Sequence, residues 1–296
     1  MILVSGANGN LAGSIIRNLQ SLLPDIKELA VGTRNPDSEY ARQLAVDGIS
    51  VRHLDFIIPE TIEQALKGIH KVLFISTYEP NTVRITQHRN AVNAALKTGV
   101  SHVIYTSFIN TSTDSAFEHS SQVHAPTEKM IIDSGLSYTF LRHNLYSEFL
   151  VLDLKDTLAT GKLMRGGGNA GISFIGRDDL GVSAATVLSQ DGHENRIYTE
   201  TGPEVVTYTQ AARIMSEIFE RPIEFVDLTP EQWYERSRDM GFEESLARAS
   251  ASNVRAAING EFSIVSNDYE TITGHPARSI HRYLNDNKEK YMPLSG

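Results

Sequence analysis

The first half of the chain alternates two hydrophobic rhythms. Short apolar runs rich in β-branched residues, Ile2–Ser5, Glu28–Thr33, Ser50–Asp55, Lys71–Ser76, Ser101–Ser107 and Ser137–Arg142, read as buried strands. Between them, Leu11–Leu23, Glu39–Val46, Pro59–Leu66, Arg84–Lys97 and Ala125–Ser134 carry apolar residues at helical spacing, the last two stopped by Gly99 and Gly135. Buried strands separated by amphipathic helices predict βαβ units and a parallel sheet.

A polar stretch, Asn110–Gln122, breaks the alternation and reads as a loop over a crevice. Past residue 150 the rhythm changes. Arg165–Asn169 is a turn, Ile172–Ile175 a short strand and Asp178–Gln190 a helix, while the strands Arg196–Glu200 and Ile223–Asp227 flank the helix Tyr208–Phe219. From Pro230 onward the pattern is helical, and no internal repeat is present. The chain therefore divides into a nucleotide-type domain over residues 1–150 and a smaller substrate-binding lobe over residues 151–296, some of whose segments return to the first domain.

Composition narrows the function classes. With 36 acidic against 27 basic residues the net charge is −9, which disfavours a nucleic-acid partner. Zero cysteine removes a disulfide scaffold, a thiolate zinc site, an iron–sulfur cluster and a cysteine nucleophile. No run reaches the roughly 18 apolar residues of a membrane span, and the chain opens directly on a strand, leaving no room for a signal peptide. The expectation is a cytoplasmic protein, monomeric or homodimeric, with no membrane partner.

The first chemical signal lies between the first strand and the first helix. In Gly6-Ala7-Asn8-Gly9-Asn10-Leu11, Gly6 permits the tight turn and Gly9 lets backbone N–H groups approach a pyrophosphate, while Ala12 allows close helix–strand packing. Strand before and helix after make this a dinucleotide turn, and the fold class α/β, with a Rossmann-type doubly wound, mostly parallel sheet and a smaller C-terminal α+β lobe. At the tip of the second strand the sequence is Thr33-Arg34-Asn35-Pro36, without the acid that would hold a ribose 2′-hydroxyl. Arg34 can pair with a 2′-phosphate, so NADP(H) is expected over NAD(H), although Asp37 nearby would oppose the phosphate.

These motifs, with Leu54-Asp55-Phe56, Val72–Ser76 and Val103–Ser107, resemble the atypical short-chain dehydrogenases of the NmrA-like group. The stretches His124–Lys129, Ser134–Glu148 and Ile272–Ser279 are similar to its NAD(P)H:quinone oxidoreductase type 2 and triphenylmethane reductase branch. The resemblance implies that Asp55 and Phe56 line the adenine pocket, and that Ser76, Thr77 and Tyr78 run beside the ribose and nicotinamide. It also implies that Ser107, His124, Asn144, Leu145 and Tyr146 face the nicotinamide and substrate.

One departure carries much of the functional argument. Typical short-chain dehydrogenases use Tyr-x-x-x-Lys; here the Tyr position holds Ser120 and the Lys position His124, as the resembled branch also has His. That weakens alcohol dehydrogenase and sugar-nucleotide epimerase readings. Hydride addition to a quinone yields a stabilised anion and asks mainly for positioning, with neutral donors at the developing oxyanion. Tyr146, His124 and Asn144 are the candidate catalytic donors. The expected function is an NADPH-dependent oxidoreductase acting on a quinone-like small molecule; a non-catalytic NADP(H)-sensing regulator is the alternative. No metal is expected, since His119, His124 and His143 lack ligand spacing, and Gly166-Gly167-Gly168 reads as a turn bounding the substrate crevice.

Overall fold

The apolar runs of the first half, with one strand from the second, form a single parallel sheet. A computed structural model describes residues 1–291. Strands β1 (Ile2–Ser5), β2 (Leu29–Thr33), β3 (Ser50–His53), β4 (Lys71–Phe74), β5 (His102–Phe108), β6 (Ser137–His143) and β9 (Arg196–Glu200) lie in the order β3-β2-β1-β4-β5-β6-β9. Every neighbouring pair is parallel. The order turns back between β1 and β4, which opens a crevice at their carboxyl ends.

Successive strand residues face opposite sides, so each face builds its own core. Val4 and Val31 meet Leu11, Ile15, Ile16 and Leu19 of helix α1 (Asn10–Leu22). On the other face, Leu3, Val72, Val103 and Phe140 meet helices α3 (Pro59–Ala65), α4 (Asn81–Thr98) and α5 (Ala125–Asp133) through Ile62, Val92, Ala95 and Ile131. Helix α2 (Glu39–Val46) follows β2, with Ser38 capping its first turn. Among the described residues no helix is long and apolar enough to cross a membrane.

The second half contributes to both layers. Helix α6 (Leu154–Thr160) leads into β7 (Lys162–Gly166), a helix and a strand that the sequence pattern did not reveal. Of the expected strand Ile172–Ile175 only β8 (Gly171–Ile172) forms a ladder; Ile175 makes a single bridge to Tyr146. Helix α7 (Arg177–Ser189) then lies along α1, and β9 joins the edge of the main sheet. The lobe proper has β10 (Val206–Thr207) antiparallel to β8 and β11 (Glu224–Leu228) parallel to β7. Helices α8 (Tyr208–Phe219), α9 (Pro230–Asp239), α10 (Glu244–Ile258) and α12 (Ile280–Asp286) belong to it, whereas α11 (Asp268–Thr273) packs on α7 and β9 through Tyr269 and Ile272, and α13 (Lys288–Tyr291) ends the described residues. The lobe's core gathers Leu163, Phe174, Met215, Phe262 and Tyr283.

The polar stretch Asn110–Gln122 is not all loop. A widened π turn, Ser120–His124, carries it into α5, closed by the Ala125 N–H on the Ser120 carbonyl. Such turns concentrate at functional sites because they displace side chains from the helical register. The loop before it is latched to the lobe by one carboxylate: Glu261 accepts from Asn110 Nδ2 at 2.7 Å, Ser115 Oγ at 2.6 Å and the Ala116 N–H at 2.9 Å.

The position of the glycine-rich turn depends on how closely α7 approaches α1. A Cβ on Gly181 would lie 2.1 Å from Ser14 Oγ and 2.6 Å from Ser14 Cβ. Gly181→Ala is therefore expected to cost about 1–3 kcal/mol of unfolding free energy through overpacking. Denaturant titration checks this, and an unchanged midpoint would show that the two helices have room to part.

Candidate active site

The β1–α1 turn is built by backbone bonds. The Ala7 N–H donates to the Gly32 carbonyl at 3.0 Å and the Gly9 N–H to the Gly6 carbonyl at 2.8 Å. Gly6 holds φ +70°, where a side chain is strained, and a Cβ on Gly9 would sit 3.2 Å from the Gly6 oxygen. Helix α1 then begins without a side-chain cap. Its first N–H groups, unpaired by helix geometry, remain available to an anion.

A cleft of about 490 Å³ runs over the carboxyl ends of β1, β2 and β4, lined by Gly6, Asn8, Gly9, Arg34, Asp55, Phe56, Ser76, Thr77 and Tyr78 among others. Ala7 and Asn10 instead face a second cleft of about 550 Å³ across the turn, with Arg17, Tyr40, Glu148 and Arg177. Leu11 belongs to the core. Arg34 extends into solvent, its side chain 69% exposed, and among the described residues its ion-pair partner is Glu79 at 3.7 Å. Glu79 and Asp55, not Asp37, are the acids on the cleft wall. Asp55 accepts from the Ile57 N–H at 2.9 Å, and Phe56 packs edge-on against Phe74.

Below Ser76 lies a buried polar cluster. Arg84 is 4% exposed; its Nη2 donates to Ser76 Oγ at 2.7 Å and stands 3.3 Å from His124 Nε2. His124 Nδ1 is 2.9 Å from the Tyr105 hydroxyl. His88 lies 3.3 Å from Ser76 Oγ through one nitrogen and 2.8 Å from Thr127 Oγ1 through the other. Arg84 forms no ion pair among the described residues, and its Nε has no partner. Burial, and then the charge of Arg84, hold His88 and His119 down at about 3 and His124 well below its ordinary value. The guanidinium is thus a fixed cation among neutral imidazoles.

The remaining expected site residues separate by what they already bind. Asn144 is fully buried; its Nδ2 donates to Ser173 Oγ at 2.6 Å and to the Phe262 carbonyl at 2.9 Å, so it holds β6 to the lobe and offers no donor to a substrate. Ser107 donates to Glu128 at 2.6 Å, and Glu128 in turn grips Arg142 at 2.6 and 2.9 Å. His124 faces inward, with both ring nitrogens occupied, rather than toward a substrate. Leu145 packs in the lobe core and lines a small recess with Phe149, Gly166 and Trp233. Through its hydroxyl Tyr146 has one partner among the described residues, His143 Nδ1 at 3.2 Å. Its half-buried ring lies between Phe149, stacked with centroids 6.2 Å apart, and the Arg177 guanidinium at 4.7 Å. Desolvation pushes its hydroxyl up to about 12, with Arg177 opposing.

Residues 1–257 match the model of the NmrA-like family. This chain belongs to that family. It is 32% identical to quinone oxidoreductase 2 of Escherichia coli K12 over 95% of its length and 96% of that protein's. Its fold superposes on the E. coli NADPH-dependent quinone oxidoreductase complexed with NADPH with a TM-score of 0.90, at 30% identity over 97% of this chain and 99% of that one. On the Citrobacter triphenylmethane reductase complexed with NADP(H) the TM-score is 0.87, at 32% identity over 95% and 98%.

Arg84 was legible only as part of a helix. It lies on the buried stripe of α4 with Gln87, His88, Ala91 and Ala95, and polar residues on such a stripe are the signal that could have found it. The lowered imidazoles make a stability statement. In the unfolded chain they titrate near 6.5 and in the fold near 3 for His88 and His119, so the unfolded state binds more protons across that window. Stability is then complete above about pH 6.5 and falls as pH drops toward 3, by about 1.4 kcal/mol per pH unit for each such imidazole. Denaturant titrations over this range, with His88→Gln alongside, should show the variant losing one group's share of the slope; an unaltered slope would contradict this.

Proposed function

We propose that the protein is an NADPH-dependent oxidoreductase that reduces quinones or similarly flat electrophiles. The observation that carries this reading is a cleft over the glycine-rich turn whose wall residue Ser76 rests on the buried cation Arg84, with no Tyr–Lys pair in the usual place. Ser120 donates to the Asn110 carbonyl at 2.9 Å and His124 is held by Tyr105 and Arg84, so neither can act as acid on a bound alcohol or sugar.

The residues present fit the cofactor. The uncapped N-terminus of α1 and the Gly6–Leu11 turn suit a pyrophosphate, and Arg34 suits a 2′-phosphate. Asp55 and Phe56 would border the adenine, and Ser76, Thr77 and Tyr78 the ribose and nicotinamide. When bound there, NADPH supplies a hydride, two electrons with one hydrogen nucleus. The protein's own part is positional and electrostatic. Tyr146, wedged between Phe149 and Arg177, presents a hydroxyl to the acceptor oxygen. Arg84 supplies positive potential behind Ser76 where negative charge would collect.

Steady NADPH consumption with a simple benzoquinone tests the proposal; tight NADPH binding without turnover would make the protein a sensor instead. Arg34→Ala should weaken NADPH binding by about 1–3 kcal/mol and leave NADH nearly unaffected, as for loss of a charge-assisted contact. Equal losses for the two cofactors in calorimetry would make Arg34 structural. Tyr146→Phe should lower kcat/KM for a quinone about tenfold, or 1.4 kcal/mol. A loss beyond about a thousandfold would point to carbonyl reduction, because that reaction depends on an obligatory proton donor.

A further inference from the structure

We propose that His88 fixes the Ser76 hydroxyl as a pure hydrogen-bond acceptor on the cleft wall, so that Ser76 recognises a neutral O–H or N–H group on the nicotinamide half of the dinucleotide. The proposal rests on the cofactor placement above. It assigns Ser76 as the recognition point and His88 as the residue that positions it.

The polarity of the contact follows from the hydrogen bonds taken in order, since a hydroxyl has one proton and a carbonyl has none to give. Thr127 Oγ1 stands 2.7 Å from the Val123 carbonyl, so its proton is spent there. His88 Nδ1 lies 2.8 Å from the same Oγ1. A bare Nδ1 would set two lone pairs face to face at that distance, so Nδ1 carries the hydrogen and donates it. The Tyr105 hydroxyl, 3.5 Å from Nδ1, is the more distant neighbour. Burial and the charge of Arg84 keep the ring neutral, which leaves Nε2 bare. Nε2 therefore accepts the Ser76 O–H at 3.3 Å, while Ser76 Oγ accepts from Arg84 Nη2 at 2.7 Å.

The groups behind Ser76 are buried: Arg84, His88 and Thr127 are 4%, 4% and 1% exposed. Ser76 itself is half-buried and lines the dinucleotide cleft, whereas His88 lines neither cleft and reaches the ligand only through it. The Ile75 N–H donates to Ser5 Oγ and the Ser76 N–H to Thr106 Oγ1, both at 2.9 Å. Both amides and the hydroxyl proton thus point into the protein, and the Ser76 side chain offers the cleft an oxygen lone pair. A phosphate oxygen placed here would meet lone pair with lone pair, although a cation lies just behind. A ribose hydroxyl or a carboxamide N–H would find an acceptor. Phosphates are held to the glycine-rich turn, and the register of the dinucleotide along the cleft is set at Ser76.

Long-range proton–nitrogen NMR correlation on the cofactor-free protein reports the tautomer, with His88→Gln identifying the signal; the hydrogen should be on Nδ1. Calorimetry with NADP⁺ and two analogues reports the recognition. The acetylpyridine analogue lacks the carboxamide N–H, and an analogue with a dideoxy nicotinamide ribose lacks those hydroxyls. One of the two should bind the wild type about fivefold more weakly than NADP⁺, the worth of one neutral hydrogen bond. Ser76→Ala should bind that analogue and NADP⁺ equally. His88→Phe, which frees the Ser76 proton, should erase the same discrimination, and His88→Gln, whose side-chain carbonyl can take that proton, should restore it. If His88→Phe folds poorly, the tautomer and the Ser76→Ala comparison decide the matter. An Nε2–H tautomer, analogues that bind as tightly as NADP⁺, or a penalty that survives Ser76→Ala would overturn the assignment. The tautomer and the discrimination without quinone turnover would overturn the reductase reading instead.

Discussion

Arg84 sits under the crevice floor with a hydroxyl, imidazoles and phenols around it, and no carboxylate among the described residues pairs with it. Burying a guanidinium this way costs desolvation energy that a counter-ion would ordinarily offset. The imidazoles of His88, His119 and His124 stay neutral, first because burial disfavours their charged form and then because protonating them would place like charges beside Arg84. The outcome is a positive potential fixed in place before any reactant arrives. Catalysis by preorganised charge requires this condition, because the protein need not reorganise as the oxyanion develops.

That cation explains why the site can dispense with a strong acid pair. A Tyr–Lys arrangement lowers the pKa of a phenol so that it can exchange protons with an alcohol. Tyr146 is pushed the other way, to about 12, and stays a neutral donor. Neutral donors over a fixed cation suit an acceptor whose reduced form is already a stabilised anion. They suit an alcohol or a sugar poorly, since each would require proton abstraction in the transition state. The fold supplies the geometry: the strand order reverses between β1 and β4 beside the glycine-rich turn, while β6 and β9 bring His143 and Glu200 to the same end of the sheet.

Much of this architecture is legible from residue order alone. The buried strands and striped helices of the first half follow from periodicity, and the Gly6–Leu11 turn from its place between them. Arg34 stands at the cleft edge where its position after β2 puts it. The inner site is less legible, because a sequence shows residue types and not which hydrogen-bonding groups are already committed. Asn144 and Ser107 have the right chemistry, yet Ser173, Phe262 and Glu128 take up their donors. His143 and Glu200 meet only through the register of two strands far apart in the chain. The Ser120–His124 turn departs from the ordinary helical period, so a helical count misplaces the side chains around it.

The central claim is that the closed end of the crevice favours an oxyanion through Arg84 before any proton is transferred. A phenol whose ionised form absorbs visibly, such as 4-nitrophenol, reports this directly when bound to the NADP⁺-loaded protein. Its pKa in the complex should fall below its value in water, and Arg84→Met should abolish the shift while leaving the neutral phenol bound. A bound phenol whose pKa is unchanged or raised, or a lowered pKa that survives loss of the guanidinium, would contradict the account.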